Sequence, residues 1–223
     1  MTLVLVGSLG STRQMWEPQA PLGPARAFEL PGHGDEPVYD GVSVDRIAER
    51  VLAAVDGPFS VVGLSLGGAV AMRIAAEAPQ RVEKVVLACT SPDFGDAAQW
   101  LERAATVRDD GLETIVDAVL GRWFSPAYPD VARWREMFLS VDPEGYGRCC
   151  AALAGWDGRD DLRRIEAPTL VLAGAGDPTS PPAHAEEIAS LVPGARVAVI
   201  DGAQHLANVE RAGEFNRLVK EHL

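Results

Sequence analysis

Cysteine is scarce in this chain of 223 residues, and its placement excludes several protein classes. The three cysteines are Cys89, Cys149 and Cys150, and two of them are adjacent. Such spacing fits neither a disulfide framework nor a metal site, so we expect buried, reduced thiols in a cytoplasmic protein. Cys149 is a weak rival for a nucleophile, because no predicted turn presents it. We expect neither a metal nor an organic cofactor.

Long apolar runs and a basic leader are also lacking. No run reaches the ~18 apolar residues that a membrane span needs. The N-terminal residues 1–7 carry no basic segment and no small-residue cleavage site, so they predict a core strand rather than a signal peptide.

Positive charge is in deficit, and lysine is nearly absent. The net charge is −12, and only Lys84 and Lys220 are lysine. This balance disfavours nucleic acid and anionic membranes as partners. An anionic substrate would need a local basic pocket, which arginine would have to supply.

What the chain does contain is an alternation of strand and helix signals. Apolar runs at 3–6, 26–30, 59–62, 82–88, 169–173 and 195–200 alternate with helical periods at 44–55, 69–78, 182–191 and 207–222. This order predicts an α/β fold with a mostly parallel sheet of about six strands. Between 94 and 162 strand signals vanish and four helices are predicted. We therefore divide the chain into a core, residues 1–93 and 163–223, and a helical cap insert, residues 94–162.

One turn between a strand and a helix carries the strongest chemical signal. Residues 63–67 read G-L-S-L-G and follow the apolar strand at 59–62. In that context the pattern predicts a strained turn that exposes the Ser65 hydroxyl as a nucleophile. The backbone N–H of Leu66, at the start of the helix, can stabilise an oxyanion. The alternative is a glycine-rich turn with an incidental serine.

A nucleophilic serine needs a base and an orienting acid. His205 follows the strand at 195–200 and completes the chain order Ser, Asp, His. We expect His33 near the same edge, His184 to be exposed, and His222 to lie at a frayed terminus. Asp177 follows the strand at 169–173 and is the predicted acid, and Asp93 is its rival.

The loop after the first strand should supply a second oxyanion donor. Residues 7–10 read G-S-L-G, and we expect the Leu9 N–H to face the same space as the Leu66 N–H. The alternative is a plain connecting loop. The predicted catalytic residues are thus Ser65, Asp177 and His205, with Leu9 and Leu66 as the oxyanion hole.

This constellation resembles the α/β-hydrolase superfamily, and the insert resembles the cap of 3-oxoadipate enol-lactonases. The similar segments are 100–103 (WLER), 107–112 (VRDDGL), 121–126 (GRWFSP), 142–146 (DPEGY), 149–153 (CCAAL) and 203–210 (AQHLANVE). The resemblance implies a cofactor-free cytoplasmic enzyme of the β-ketoadipate route of aromatic breakdown. It implies hydrolysis of an enol-lactone that carries a free carboxylate.

The resemblance also raises two expectations about the surroundings of the site. Relatives usually begin with two further strands, which are missing before Leu3, so an open sheet edge could favour a homodimer. The insert holds seven arginines, and Arg122 with Trp123 stands in the most family-like motif. We expect this pair to bind the substrate's carboxylate and ring. Alternatively, Arg122 is a surface residue and Trp123 packs the cap onto the sheet.

Two other functions stay open at this point. The chain could be a carboxylesterase for another small, acidic ester or lactone. It could also be a non-catalytic ligand-binding protein on a hydrolase scaffold, although such a protein would not require Ser65, Asp177 and His205 together.

Overall fold

A single six-stranded sheet forms the centre of the protein. The computed structural model describes residues 2–223. The strands stand in the order β2-β1-β3-β4-β5-β6, and every neighbouring pair is parallel. They are β1 (Thr2–Val6), β2 (Ala25–Phe28), β3 (Phe59–Leu64), β4 (Val82–Ala88), β5 (Thr169–Gly174) and β6 (Arg196–Ile200). The predicted α/β fold with about six parallel strands is confirmed.

The helices fall into a core set and an insert set. The core set is α1 (Val44–Ala54), α2 (Leu66–Glu77), α8 (Pro182–Leu191), α9 (Ala207–Glu210) and α10 (Ala212–His222), with a 3₁₀ helix at Arg13–Leu22. Between β4 and β5 lie α3 (Ala97–Asp110), α4 (Val116–Trp123), α5 (Val131–Leu139), α6 (Pro143–Ala154) and α7 (Arg159–Arg164), with a short 3₁₀ helix at Leu112–Thr114.

Helices cover both faces of the sheet, as the continuous apolar strands require. Every residue of β3 and β5 is buried, so side chains on both faces are out of water. α1 packs on α2, α2 on α7 and α7 on α8, whereas the 3₁₀ helix Arg13–Leu22 packs with α9 and α10. The edge strands β2 and β6 are more exposed. A homodimer through an open edge remains a prediction.

The parallel arrangement gathers the predicted functional residues at one edge. Ser65 follows β3 directly, Leu9 lies in the loop after β1, Asp177 follows β5 and His205 follows β6. Because the strands are parallel, their carboxyl ends meet along the same rim, where ligands bind in such sheets.

The insert helices agree with the sequence pattern more closely than the flanking segments do. Of the four helices that the sequence pattern predicts in the insert, one led by Trp100 and the others at 112–123, 131–139 and 143–154, the last two match α5 and α6, and α3 packs along α6. The predicted helix at 112–123 is divided into a 3₁₀ turn and α4. The predicted boundary at residue 162 falls inside α7, which packs against the core helices α2 and α8.

Two core segments differ from expectation. The predicted helix at 207–222 is two helices, because Arg211 has non-helical φ and ψ angles of −129° and 48°. The 3₁₀ helix Arg13–Leu22 was not predicted; it contains Pro18 and Pro21, which mask any helical period. Within residues 2–223, no helix is long and apolar enough to cross a membrane.

Candidate active site

The Ser65 turn has the strained geometry that its sequence pattern predicts. Ser65 lies at φ 57° and ψ −118°, which residues with a side chain rarely adopt. A Cβ at Gly63 would overlap the Gly67 carbonyl, and a Cβ at Gly67 would overlap the Val6 carbonyl. Both glycines are therefore required by close backbone approach. The turn stores strain and holds the Ser65 side chain at the rim of the sheet.

Two backbone N–H groups near Ser65 are left free to bind an anion. The Gly67 N–H donates to the Gly7 carbonyl at 3.0 Å and ties the serine turn to the loop after β1. Within residues 2–223, no acceptor takes the N–H of Leu9 or of Leu66. Leu66 begins α2, where the helix dipole favours negative charge. These two N–H groups are the ones predicted to form the oxyanion hole, and that role stays a prediction.

Asp177 and His205 form a buried pair. Asp177 Oδ2 accepts from His205 Nδ1 at 2.8 Å, and both side chains are almost fully buried. The bond places the ring proton on Nδ1, so Nε2 keeps a lone pair. Burial by itself raises the pKa of Asp177, but the His205 ring and the N–H groups of Ser180 and Thr179 outweigh it and lower that pKa overall. The carboxyl is therefore ionised at neutral pH.

Two loops hold this pair in place. The Gly176 N–H donates to the Ala203 carbonyl at 2.9 Å, which joins the loop after β5 to the loop after β6. The backbone N–H of Leu206 donates to the Trp123 carbonyl at 3.1 Å. The end of cap helix α4 is thereby fixed next to His205, although about 80 residues separate them in sequence.

A cavity of about 240 Å³ joins the predicted groups. Ser65 and His205 both line it, although within residues 2–223 no hydrogen bond joins the Ser65 hydroxyl to the His205 ring. The remaining walls come from the oxyanion loop, the cap and the loop after β5: Ser8, Leu9, Phe94, Gln99, Trp100, Arg103, Val119, Arg122, Trp123, Tyr146, Leu153, Pro178 and Thr179. Larger grooves of about 700 and 670 Å³ flank edge strand β2 and contain none of the predicted site residues.

Only two of the seven cap arginines reach this cavity, Arg103 and Arg122. The other five each form an ion pair with a carboxylate: Arg108, Arg133, Arg135, Arg148 and Arg159. No ion pair involves Arg103 or Arg122 within the part of the chain that the structure describes. Burial, followed by the charge of Arg103, lowers the pKa of Arg122. Two guanidinium groups without acidic partners therefore face one small cavity.

Arg103 is the residue that sequence reasoning did not single out. Its guanidinium lies 4.8 Å from the centre of the Trp100 ring, and Tyr146 lines the same cavity. In sequence it is one of seven equivalent arginines. Its lack of an acidic partner is a tertiary property that no spacing reveals. Trp123 is buried and packs edge-on against Phe138 at 5.6 Å, and it also lines the cavity.

The other residues considered as a nucleophile, an acid or a base do not line the cavity. Asp93, the rival acid, pairs with Arg159 and accepts from the Gly95 N–H. The Cys149 thiol is fully buried, and that burial raises its pKa, so it is held as the unreactive thiol. His184, expected to be exposed, is half-buried with Nδ1 2.5 Å from Ser91 Oγ. His222, expected at a frayed terminus, is buried with Nε2 3.1 Å from the Val85 carbonyl.

His33, expected near the active edge, is completely buried beside the oxyanion loop. Its Nε2 accepts from the Gly10 N–H at 2.9 Å, and its Nδ1 lies 2.9 Å from the Pro31 carbonyl. Nδ1 therefore carries the single ring proton. Burial, which disfavours the charged ring, lowers the pKa of His33 to about 4.

This depressed pKa predicts a loss of stability in mild acid. His33 is neutral in the folded protein down to about pH 4, whereas the unfolded chain binds a proton below about 6.5. The contribution of neutral His33 to the free energy of unfolding is therefore complete above pH 6.5, and it is lost as the pH falls toward 4. Between pH 7.5 and 5 we expect a loss of about 2 kcal/mol in the free energy of unfolding.

Urea unfolding of the native protein and of His33→Gln at both pH values measures this loss. Glutamine does not titrate, so the native protein should lose about 2 kcal/mol more than the variant between the two pH values. Equal losses would show that His33 does not titrate in this range on unfolding.

The described residues offer no set of metal ligands. Within 2–223, no group of three or more histidine, cysteine, aspartate or glutamate side chains could hold a metal ion. The groups assembled around the cavity are instead a hydroxyl, a buried imidazole–carboxylate pair and free N–H donors. This set can carry out acyl transfer.

Comparison with known proteins points to the same chemistry. A family model described as "Alpha/beta hydrolase family" matches residues 3–218. The chain is 32% identical to 3-oxoadipate enol-lactonase 2 of Acinetobacter baylyi over 98% of this chain and 86% of that protein. The enol-lactonase of Burkholderia xenovorans superposes with a TM-score of 0.94 at 33% identity, over 99% of this chain and 90% of that one.

A relative with a different substrate is nearly as similar. The chain is 28% identical to the pimeloyl-[acyl-carrier protein] methyl ester esterase of Neisseria meningitidis, over 97% of this chain and 91% of that protein. By their names, two of these three proteins are enol-lactonases and the third is a methyl ester esterase. Overall similarity therefore does not separate a lactone substrate from an open-chain ester.

Proposed function

The chain belongs to the alpha/beta hydrolase family, and from this premise we propose that it is a serine hydrolase that opens 3-oxoadipate enol-lactone to 3-oxoadipate. The observation that carries the proposal is the pair of unpaired arginines, Arg103 and Arg122, in the same cavity as Ser65 and His205. An anionic lactone can reach a nucleophile there in spite of the net charge of −12.

The first half of the reaction acylates the enzyme. His205 Nε2 takes the proton of Ser65 as the hydroxyl oxygen attacks the lactone carbonyl. Negative charge develops on the carbonyl oxygen between the N–H groups of Leu9 and Leu66, each of which contributes about 3 kcal/mol. The ring C–O bond then breaks, His205 protonates the leaving enol oxygen, and the enol becomes a ketone.

The second half releases the product. His205, again neutral, removes a proton from water, which attacks the acyl-enzyme ester. The same two N–H groups bind the second tetrahedral oxyanion. Collapse returns the proton to Ser65 and leaves 3-oxoadipate, which now carries two carboxylates. Asp177 keeps His205 in the required tautomer and stabilises its charged form in both halves.

The substrate's free carboxylate is the group assigned to the two arginines. Each guanidinium can bind a carboxylate through two parallel N–H donors. The Arg103 guanidinium is already held over the ring of Trp100. Trp123 gives the lactone ring an apolar wall. The cavity volume of about 240 Å³ suits a small lactone rather than a ligand with a long chain.

The second candidate function is a carboxylesterase for another small, acidic ester. The pimeloyl-[acyl-carrier protein] methyl ester esterase relative favours an open-chain methyl ester over a lactone. Monomethyl pimelate presents a carboxylate and a methyl ester, so both arginines would serve this substrate as well. Higher kcat/KM for monomethyl pimelate than for the enol-lactone would support this candidate.

Removing both guanidinium groups should separate charge recognition from catalysis. We expect Arg103→Gln with Arg122→Gln to lower kcat/KM for the enol-lactone by about 100-fold or more, because each charge-assisted contact is worth roughly 1.5–3 kcal/mol. For the neutral methyl ester of the same lactone we expect kcat/KM close to that of the native protein. Steady-state kinetics with the two substrates measures the difference.

Arg135→Gln is the matched control for this experiment. Arg135 is another cap arginine, but it pairs with Asp117 and does not line the cavity. The Arg135→Gln substitution should leave kcat/KM unchanged for both the charged and the neutral lactone. Equal losses on the charged and the neutral lactone in the double variant would mean that the arginines maintain the cavity rather than recognise a carboxylate.

Location and partners belong to the same proposal. We assign the enzyme to the cytoplasm and to aromatic catabolism, with the small anionic lactone as its partner. We expect no nucleic-acid or membrane partner. Sedimentation of the native protein tests the possible homodimer.

A further inference from the structure

The oxyanion loop is held by a side chain that the reaction itself does not use. Gly10 follows Leu9, and its N–H donates to Nε2 of His33 at 2.9 Å. The backbone of His33 is itself fixed, because its N–H donates to the Leu30 carbonyl at 2.9 Å and its carbonyl accepts from the Glu36 N–H at 3.1 Å. A rigid turn after β2 therefore contacts the loop after β1.

Several contacts restrain the backbone on both sides of Leu9. The Gly7 carbonyl accepts from the Gly67 N–H, and the Ser11 N–H donates to the Ser8 carbonyl at 3.1 Å. Gly10 has a φ of +83°, and a Cβ there would lie 2.6 Å from the Phe138 ring. The Leu9 N–H is left without an acceptor between these fixed points. Its direction depends on the neighbouring peptide units.

A histidine meets the requirement of this position. Nδ1 faces the Pro31 carbonyl, a pure acceptor, so it carries the proton and Nε2 must accept. The ring lies against Tyr146, with ring centres 6.5 Å apart and planes 20° apart. Tyr146 also lines the cavity. An apolar residue of the same size would leave the Gly10 N–H unpaired in a buried environment.

We propose that His33 is a positioning residue for the oxyanion hole: its Nε2 holds the Gly10 amide and thereby aims the Leu9 N–H at the developing oxyanion. This inference rests on the proposed serine-hydrolase mechanism. It assigns to the turn after β2 a share in transition-state stabilisation, although His33 does not line the cavity.

The test uses two polar replacements that differ in where they place an acceptor. The side-chain oxygen of His33→Gln can occupy the position of Nε2, whereas the shorter side chain of His33→Asn reaches only the position of Nδ1. For His33→Asn we expect kcat for p-nitrophenyl acetate to fall roughly 10- to 100-fold with little change in KM, less than the loss of a whole oxyanion donor. His33→Gln should recover most of that loss.

A second readout isolates the oxyanion hole. An alkyl boronic acid forms a tetrahedral adduct with a nucleophilic serine and places a negative oxygen in the hole. Its inhibition constant should rise in His33→Asn by the same factor by which kcat/KM falls, because both report the transition state. His222→Asn changes another buried histidine that bonds to backbone, remote from the cavity, and should leave both quantities unchanged.

Each outcome decides between the alternatives. A folded His33→Asn with native kcat, or an unchanged boronate inhibition constant, overturns the role of His33 alone. Equal losses of kcat in His33→Gln and His33→Asn would also overturn the role of His33 alone. A native protein that hydrolyses neither p-nitrophenyl acetate nor the enol-lactone, and forms no boronate adduct at Ser65, overturns the proposed function and this inference with it. If His33→Asn is unfolded, a folded His33→Gln decides: a 10-fold or larger loss of kcat or of boronate affinity there overturns the role of His33, because the glutamine oxygen should still accept from the Gly10 N–H.

Discussion

Replacing Ser65 with alanine is expected to lower kcat for the enol-lactone by on the order of 10⁵-fold or more, because the nucleophile and its base act as one unit. The Ser65 hydroxyl is the group that forms the bond to the acyl carbon. Water attacking with help from the oxyanion hole would supply the remaining rate.

The fold should survive this substitution. The backbone of Ser65 is held independently of its side chain: its N–H donates to the Ala88 carbonyl at 3.0 Å, and its carbonyl accepts from Thr90 Oγ1 at 2.8 Å. Alanine also keeps the Cβ already accommodated at φ 57°. Circular dichroism and urea unfolding should therefore match the native protein, so a loss of rate cannot be attributed to unfolding.

Ser91→Ala is the matched control for Ser65→Ala. Ser91 is a buried serine after a strand of the same sheet and lies beside a histidine, His184, but it does not line the cavity. It should retain native kcat. An active-site phosphonate should label native protein and Ser91→Ala at Ser65 and leave Ser65→Ala unlabelled. No labelling of the native protein would instead favour a non-catalytic binding protein.

The second large effect is expected for Asp177→Asn, at roughly 10⁴-fold in kcat, the size that loss of the correct histidine tautomer produces. Asp177 Oδ1 accepts from the N–H groups of Thr179 at 2.8 Å and Ser180 at 3.0 Å. These donors force the amide oxygen of an asparagine to face them. The amide N–H₂ then faces His205 Nδ1, moves the ring proton to Nε2 and removes the base that Ser65 needs.

Asp93→Asn is the comparison that separates the two candidate acids. Asp93 is half-exposed, pairs with Arg159 and does not line the cavity. We expect Asp93→Asn to retain near-native kcat, because Asp93 does not line the cavity. Loss of its ion pair should also cost little stability, since exposed ion pairs contribute little. Single-turnover kinetics of both variants measures acylation directly. A larger loss in Asp93→Asn than in Asp177→Asn would reverse the assignment of the acid.

Much of this site could be predicted because the decisive signals are local. Gly63 is required by a contact within one strand–turn–helix unit, and Gly67 by the close approach of β1. The five-residue pattern together with the strand before it and the helix after it suffices to recognise the turn. Asp177 and His205 could be predicted from topology together with the chain order Ser, Asp, His, because residues that follow parallel strands share one rim. The packing of helices on both faces of the sheet could likewise be predicted, because the strands are continuous apolar runs.

Other features could not be predicted because their signal is not local. The 3₁₀ helix Arg13–Leu22 is held by a buried amide network that joins it to the last two helices, with Gln19 Nε2 donating to the Asn208 carbonyl at 2.7 Å. The partners in that bond are 189 residues apart. His222 was misplaced for the same reason, since its contacts lie on β4 and before β5.

The sequence by itself determined the sheet, the serine turn and the order of the three predicted catalytic residues, because each depends on short-range sterics or on the periodicity of apolar side chains. Only the tertiary structure decided which arginines lack a carboxylate partner and line the same cavity as Ser65, and which histidine accepts from the oxyanion loop. Charge pairing and hydrogen bonding join residues distant in sequence. Seven cap arginines look alike until their partners are known, and Arg103 and Arg122 differ from the rest only in what lies opposite them.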